Sequence, residues 1–296
     1  MNVYFEEQFL KGSDITECFK DVYTKTSIEA CDYIIVTSID NKISLIKNDL
    51  KDFLQLVKDK GKKIIFLGQG DVEEGYIPKT LGYNFKNNLL KSKKFSNEFS
   101  MTSLAPERTP RDNFTYHSGQ TSIGFCGATD RFNRDYYLNQ LAKSDIKTDF
   151  IVKNGPKWGT QSYNDCIDET VTIDIQKKAQ KEFYKNISNN LFTLCVRGWG
   201  NYSYRFCQTI CLGRIPVLIN TDCCLPFEEI FDYKSNIVIV EHNEDIVLKI
   251  KEFLQQNSNQ LGVIQERLYN FGNEYLTPHG YLRNLKKIID CYECSN

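Results

Sequence analysis

Residues 191–233 read LFTLCVRGWGNYSYRFCQTICLGRIPVLINTDCCLPFEEIFDY. Leu191–Val196 is a short, almost unbroken apolar run, the pattern of a strand buried on both faces. Arg197-Gly198-Trp199-Gly200 interrupts it, Tyr204–Leu212 reads as a short helix, and Ile215–Ile219 is a second apolar run. A strand that ends in a glycine turn, enters a helix and returns as another buried strand is a βαβ unit, so the stretch predicts an α/β fold built on a parallel sheet.

The alternation continues on both sides. Upstream lie strands at Ser122–Cys126 and Thr148–Val152 with helices at Arg134–Lys143 and Ile175–Ile187; downstream lie a strand at Ile237–Val240, a helix at Glu244–Gln256 and a largely helical Gln260–Cys291. The first half carries its own βαβ unit: YIIVT at Tyr33–Thr37, an amphipathic helix over Ile43–Lys58 and KIIFL at Lys63–Leu67, with a further strand expected at Phe99–Leu104. Between them, Ala105–Gln120 has two prolines, many polar residues and no period, which suits an interdomain crossing. The sequence therefore predicts two successive doubly wound α/β domains, residues 1–118 and 119–296, with the terminal helices free to cross back.

Composition narrows the function classes. The 296 residues carry 37 Lys+Arg against 38 Asp+Glu, so the basic footprint of a dedicated nucleic-acid binder is missing and no nucleic-acid partner is expected. No apolar run is long enough for a membrane span, and Glu6 and Glu7 stand where a signal peptide would be basic or apolar, so a soluble, cytoplasmic chain is the expectation, with a trimmed luminal domain as the alternative. Eleven scattered cysteines read as free, buried thiols, and Cys291-x-x-Cys294 lacks the second pair or histidines that a zinc site needs. The sequons at Asn113, Asn186 and Asn201 are read as accidental.

In open α/β sheets ligands bind beyond the carboxyl ends of the strands. After Val196 come two glycines that let backbone approach a ligand, Ser203 as a helix cap, and Arg197 and Arg205 with forked donors suited to phosphate oxygens. Together they describe a diphosphate cradle; the competing reading is a glycine-rich turn with a capped helix and surface arginines. Trp158, Trp199, Tyr202 and Tyr204 could stack on sugars or bases, or simply fill the core. Cys223-Cys224 has no histidine nearby in sequence and reads as packing.

The same residues carry a family resemblance. Arg197-Gly198, Gly200, Ser203, Arg205, Gly213, Ile215-Pro216-Val217 and Leu225-Pro226-Phe227 fall in the order of the signature region of the exostosin-type glycosyltransferases. Weaker similarity covers IGFCGATDRFNRDYYLNQL at Ile123–Leu141 and TDFIVKNGPKW just after it. The resemblance implies a GT-B fold, two Rossmann-like domains facing a cleft, and inverting transfer of a sugar from a nucleoside diphosphate sugar, most simply a UDP-sugar, to a glycan hydroxyl. It assigns donor binding to Gly127, Arg131, Arg197, Gly198, Ser203, Arg205, Gln208 and Asn220. It implies no cofactor beyond the donor substrate and no metal, and the chain has no Asp-x-Asp motif to hold one.

Two departures bear on activity. Gln208 stands where the family usually has Glu, and Gly61-Lys62-Lys63-Ile64 lacks the His of the family's Gly-x-x-His stretch. A catalytically silent, glycan-binding or partner subunit is therefore the alternative, and an unrelated α/β protein for a phosphorylated ligand a further one. An inverting enzyme needs a general base from the acceptor side. Asp71, in a glycine-flanked loop just past KIIFL, is the first choice, with Asp40, Glu107 and His117 as alternatives; a solvated turn acid is the plain reading of Asp71.

Overall fold

The computed structural model of the protein describes residues 1–5, 13–39, 47–70, 76–104, 114–129, 132–153, 169–242 and 244–295. The first sheet comprises β1 (Asn2–Phe5), β2 (Thr24–Lys25), β3 (Tyr33–Ile39), β4 (Lys63–Gln69), β5 (Gly82–Lys86) and β6 (Glu98–Ser100), in the order β2-β1-β3-β4-β5-β6 with every pair parallel. Helices α1 (Ser13–Val22) and α2 (Lys47–Asp59) join its first strands. The unbroken apolar runs have a simple cause. Ile34, Val36, Ile64 and Phe66 face Val57 of α2, while Ile35, Ile65 and Leu67 face a second core that continues into the next domain. Both faces of β3 and β4 are covered, so both phases of the strand are apolar.

The second sheet is built from β7 (Ser122–Gly127), α3 (Arg134–Ala142), β8 (Lys147–Val152), α4 (Glu169–Asn189), β9 (Phe192–Cys195), α5 (Tyr204–Cys211), β10 (Ile215–Ile219), β11 (Val238–Val240) and α6 (Ile246–Asn257). Its order is β11-β10-β9-β7-β8, again all parallel. The chain reverses its direction of winding between β7 and β9, and a doubly wound sheet opens a ligand crevice at the carboxyl ends of such a pair. After α5 the chain turns at Gly213, whose φ of +64° puts it in the left-handed region; a Cβ there would lie 2.5 Å from the Phe114 ring and 3.0 Å from the Gln265 carbonyl.

Helix α7 (Leu261–Phe271) runs through a π-helical turn at Gly272–Leu276 into α8 (Pro278–Cys294). Thr277 caps α8 by accepting from the Gly280 N–H at 3.1 Å, and Pro278 occupies the first turn, where its missing N–H costs nothing. α8 returns to the first domain: the Tyr281 hydroxyl donates to the Ser100 carbonyl at 3.0 Å, the Tyr23 hydroxyl donates to the Leu282 carbonyl, and Lys63 pairs with Glu293 at 2.7 Å.

Several sequence expectations are corrected here. Residues 114–118, assigned to the first domain, pack on the second: Phe114 stacks near Tyr269 and Arg214 donates to the Thr115 carbonyl at 2.9 Å. The strand expected over Phe99–Leu104 is β6 at Glu98–Ser100, and α2 covers Lys47–Asp59, residues 43–46 of the expected helix lying outside the described residues. β1 and β5 were not foreseen. In β5 the buried Asn84 satisfies both ends of its amide on the Ile77 backbone, so a polar residue sits where the apolar pattern would need a hydrophobic one. None of the cysteines among the described residues is paired, and none of the described helices is long and apolar enough to cross a membrane.

Candidate functional site

The crevice between β7 and β9 is closed by Arg205, from the first turn of α5. Its Nη1 donates to the Leu194 carbonyl of β9 at 3.2 Å, Nη2 donates to the Cys126 carbonyl of β7, and the guanidinium lies 4.4 Å above the Phe125 ring. Burial pushes its pKa down, and its Nε is buried without a partner. Gly127 ends β7 beside it, and a Cβ there would stand 3.0 Å from Nη2. Gly127 and Arg205 therefore stand side by side at the carboxyl edge of the sheet. The engagement of Arg205 with two strand carbonyls was not foreseen, because nothing in the sequence marks a guanidinium that turns inward.

Elsewhere the cradle differs in detail. The Gly198 N–H donates to the Tyr202 carbonyl at 2.9 Å, closing the loop on itself rather than standing free. Ser203 occupies the cap position of α5, yet its side chain makes no capping bond. Arg197 is tied down by Nη2 to the Trp199 carbonyl at 2.9 Å and sits 4.8 Å over the Phe132 ring. The Gln208 amide donates to the Tyr184 hydroxyl of α4 at 3.1 Å. Asn220, at the end of β10, donates to both Glu241 oxygens at 2.9 and 2.8 Å, so an unforeseen carboxylate stands at the end of β11. Arg134, read only as the start of a helix, bonds the Ala128 carbonyl at 3.0 Å and the Arg197 carbonyl at 2.7 Å, clipping the two crevice loops together. Phe132 precedes it with φ of 55°, a strained conformation for a bulky residue and one that gathers at functional loops. Trp199 and Tyr204 are exposed here; Arg131 and Trp158 lie outside the described residues.

Of the proposed bases, Asp71, Asp40 and Glu107 lie outside the described residues. His117 is corrected outright. Its backbone N–H donates to Gln265 at 2.8 Å and its Nε2 meets the Asn189 carbonyl at 3.2 Å, just ahead of β9, while Arg214 just ahead of β10 holds the same segment. These are the amino ends of the parallel strands, opposite the crevice, so His117 cannot reach a substrate bound at the carboxyl edge.

The two domains face each other across a pocket of about 330 Å³. Gly68, Gly70 and residues 86–90, at the carboxyl ends of β4 and β5, form one wall; Arg197 and Asn201 reach in from the other domain. Asn201 locks the wall: its N–H donates to Asn88 Oδ1 at 2.6 Å, its Nδ2 to the Leu89 carbonyl at 3.1 Å, and its Oδ1 accepts from Thr221 at 2.7 Å. Lys91 N–H donates to the Asp222 carbonyl at 2.7 Å and Lys91 pairs with Glu228 at 2.9 Å. Cys223 and Cys224 pack beside these contacts, where burial raises both thiols, Cys224 to about 12. Among the described residues no group of three or more His, Cys, Asp or Glu is gathered to hold a metal ion.

Two all-parallel α/β domains whose carboxyl edges meet across one pocket are the GT-B architecture. The sequence profile of the Exostosin GT47 domain matches residues 86–256, more than half of the chain, and the chain belongs to that family. It is 28% identical over 153 residues to a probable glucuronosyltransferase of Oryza sativa subsp. japonica, covering 52% of this chain and 31% of the relative. It is 31% identical over 109 residues to the exostosin-1 homologue of Caenorhabditis elegans, covering 37% and 27%. A probable β-1,4-xylosyltransferase of Arabidopsis thaliana matches at 26% over 141 residues, 48% of this chain and 29% of its own. The chain thus spans less than a third of the length of these relatives. Among solved structures, Anabaena Alr3699/HepE in complex with UDP-glucose superposes over 98% of this chain and 99% of that one, with TM-score 0.47 and 7% identity.

Proposed function

We propose that this chain is a glycosyltransferase domain that moves a sugar from a nucleoside diphosphate sugar, a UDP-sugar by first choice, to a glycan hydroxyl with inversion. The observation that carries the reading is the crevice at the β7/β9 reversal in a chain of the exostosin family, where Arg205, Arg197 and Gly127 stand together at the carboxyl edge. In this reading the donor diphosphate lies over the α5 N-terminus, with Arg197, Arg205 and Arg131 opposing its charge and the Gly198–Ser203 loop beside it. Asn220 with Glu241 offers an amide and a carboxylate for the nucleoside. A base on the first domain, Asp71 before Asp40 or Glu107, takes the acceptor proton as the hydroxyl attacks the anomeric carbon. No metal enters the mechanism, since arginines and a helix N-terminus oppose the leaving charge.

A second reading, a catalytically silent subunit that binds glycan or a partner chain, is favoured by one observation: Gln208 replaces the family's Glu, and its amide is held by Tyr184. Incubation with a panel of nucleotide sugars separates the two. The enzyme reading expects donor hydrolysis or transfer with release of UDP; the silent reading expects UDP-sugar or glycan binding without turnover at any acceptor tried.

A further inference from the structure

Two thiols at the end of the last helix stand apart from the others. Of the ten cysteines among the described residues, all of them free, only Cys291 and Cys294 are exposed; the rest are buried or half-buried. A buried cysteine packs as a small apolar side chain, and packing gives no account of an exposed pair. Cys291 and Cys294 are three residues apart on α8 and so are neighbours on one face of the helix, with Cβ atoms about 5–6 Å apart. Two sulfurs on one tetrahedral zinc, each about 2.3 Å from the metal, lie about 3.8 Å apart, which such a pair reaches by turning its side chains inward.

The rest of the helix end shows where the pair stands. Ile288 and Ile289 are buried, and the Tyr292 ring packs edge-on against Phe99 and Tyr83, which holds that face of α8 on the first domain. Glu293, between the two cysteines, accepts from the Lys63 ammonium at 2.7 Å, at the start of β4, and from the Tyr83 hydroxyl, near the start of β5. The pair therefore lies by the amino ends of these strands, away from the pocket at their carboxyl ends.

The acids beside the pair are already engaged. Asp290 pairs with Lys286 at 2.6 Å, and Glu293 is held as above. Among the described residues no third His, Cys, Asp or Glu joins the two thiols. The pair thus offers two of the four ligands of a closed tetrahedral thiolate site. Exposed at a helix end, it can meet the same pair of a second copy across a two-fold axis, which supplies the other two.

We propose that Cys291 and Cys294 form half of a tetrathiolate site for a soft divalent cation, zinc by its chemistry, completed by the same two residues of a second copy of this chain. Each thiol gives up its proton on binding, so four protons leave for each zinc taken up and no electron is transferred. The site joins two copies through the ends of α8, on the side away from both interdomain pockets. It is independent of the donor and base assignments.

The test titrates the full chain, reduced and freed of metal, with cobalt(II) and then with zinc. Cobalt is expected to give the intense visible bands of tetrahedral thiolate coordination, saturating at one metal for two chains, and zinc to bleach them. Light scattering should show the mass double as metal is added and halve again with EDTA. Alkylation followed by peptide mapping should find Cys291 and Cys294 protected by zinc. Cys291→Ser and Cys294→Ser, both at exposed positions, should melt like the metal-free wild type, lose the cobalt bands and keep the mass of a single chain. Metal bound at one per chain without a change in mass, a doubled mass that survives EDTA or either substitution, protection of other cysteines in place of this pair, or no zinc uptake would each overturn the proposal.

Discussion

Arg205 donates through Nη1 to the carbonyl of Leu194 at 3.2 Å, which ties the helix after β9 back to the strand it leaves. Its other terminal nitrogen bonds the Cys126 carbonyl, so a single guanidinium spans the two strands between which the winding reverses. The residue with the strongest case for opposing a diphosphate is therefore also a structural cross-strut of the site.

Arg205→Ala is accordingly expected to abolish donor turnover and also to lower stability by about 1–3 kcal/mol, as the hydrogen bonds from a charged group to two strand carbonyls are lost. Arg205→Lys keeps a charge but cannot fork across both carbonyls, and should recover part of the stability and little of the turnover. Thermal melts and UDP binding measured on both variants check this. A variant that melts and turns over like wild type would remove Arg205 from the site.

Chelation should leave activity unchanged. The positive charge proposed for the leaving diphosphate comes from Arg197, Arg205 and the α5 N-terminus, none of which EDTA can remove. Loss of turnover on chelation, restored by added manganese, would replace this mechanism with a metal-assisted one.

His117 is predicted to matter to stability and not to turnover. Its Nε2 meets a carbonyl, so that nitrogen carries the proton and the buried, unpartnered Nδ1 is bare in the neutral ring. Burial, then the Arg214 charge, lowers its pKa from 6.5, so the unfolded chain takes up the proton first. Its contribution to stability is complete above about pH 6.5 and is lost as pH falls toward the lower folded value. Denaturant melts across this range should show a steeper acid loss in wild type than in His117→Gln, with turnover near neutral pH retained by the variant. A collapse of turnover in a well-folded His117→Gln would return His117 to the site.

Much of this architecture was legible because buried parallel strands must be apolar on both faces, as YIIVT and KIIFL are. The glycine turn after β9 and the helix behind it were legible for the same reason, with Gly213 marking the helix end by a conformation other residues avoid. What escaped were polar residues whose role depends on partners far along the chain. Asn201 read as an accidental sequon and is the clip between domains; Asn84, given no element by the sequence, lies in the middle of a strand. Arg134 and Glu241 gave no local signal at all, since their partners come from other elements. His117 was misplaced because a sequence does not reveal which end of a sheet a crossing segment packs against.

The general base is the remaining assignment, and Asp71→Asn is expected to reduce turnover by at least ~100-fold with little change in UDP affinity. The amide keeps the shape of the carboxylate and removes its basicity. The motivation is positional: β4 ends at Gln69, and Gly68 and Gly70, which precede Asp71 in sequence, line the interdomain pocket on the wall opposite Arg197. Asp40→Asn and Glu107→Gln supply the controls, one following the end of β3 and the other following the segment in which the Leu104 N–H bonds Gln69. Only the true base should separate catalysis from donor binding. Normal turnover in Asp71→Asn with collapse in one control would reassign the base within the same cleft. Full activity in all three, with UDP still bound, would mean that the acceptor hydroxyl is not deprotonated from the first domain, and the inverting mechanism would have to be given up.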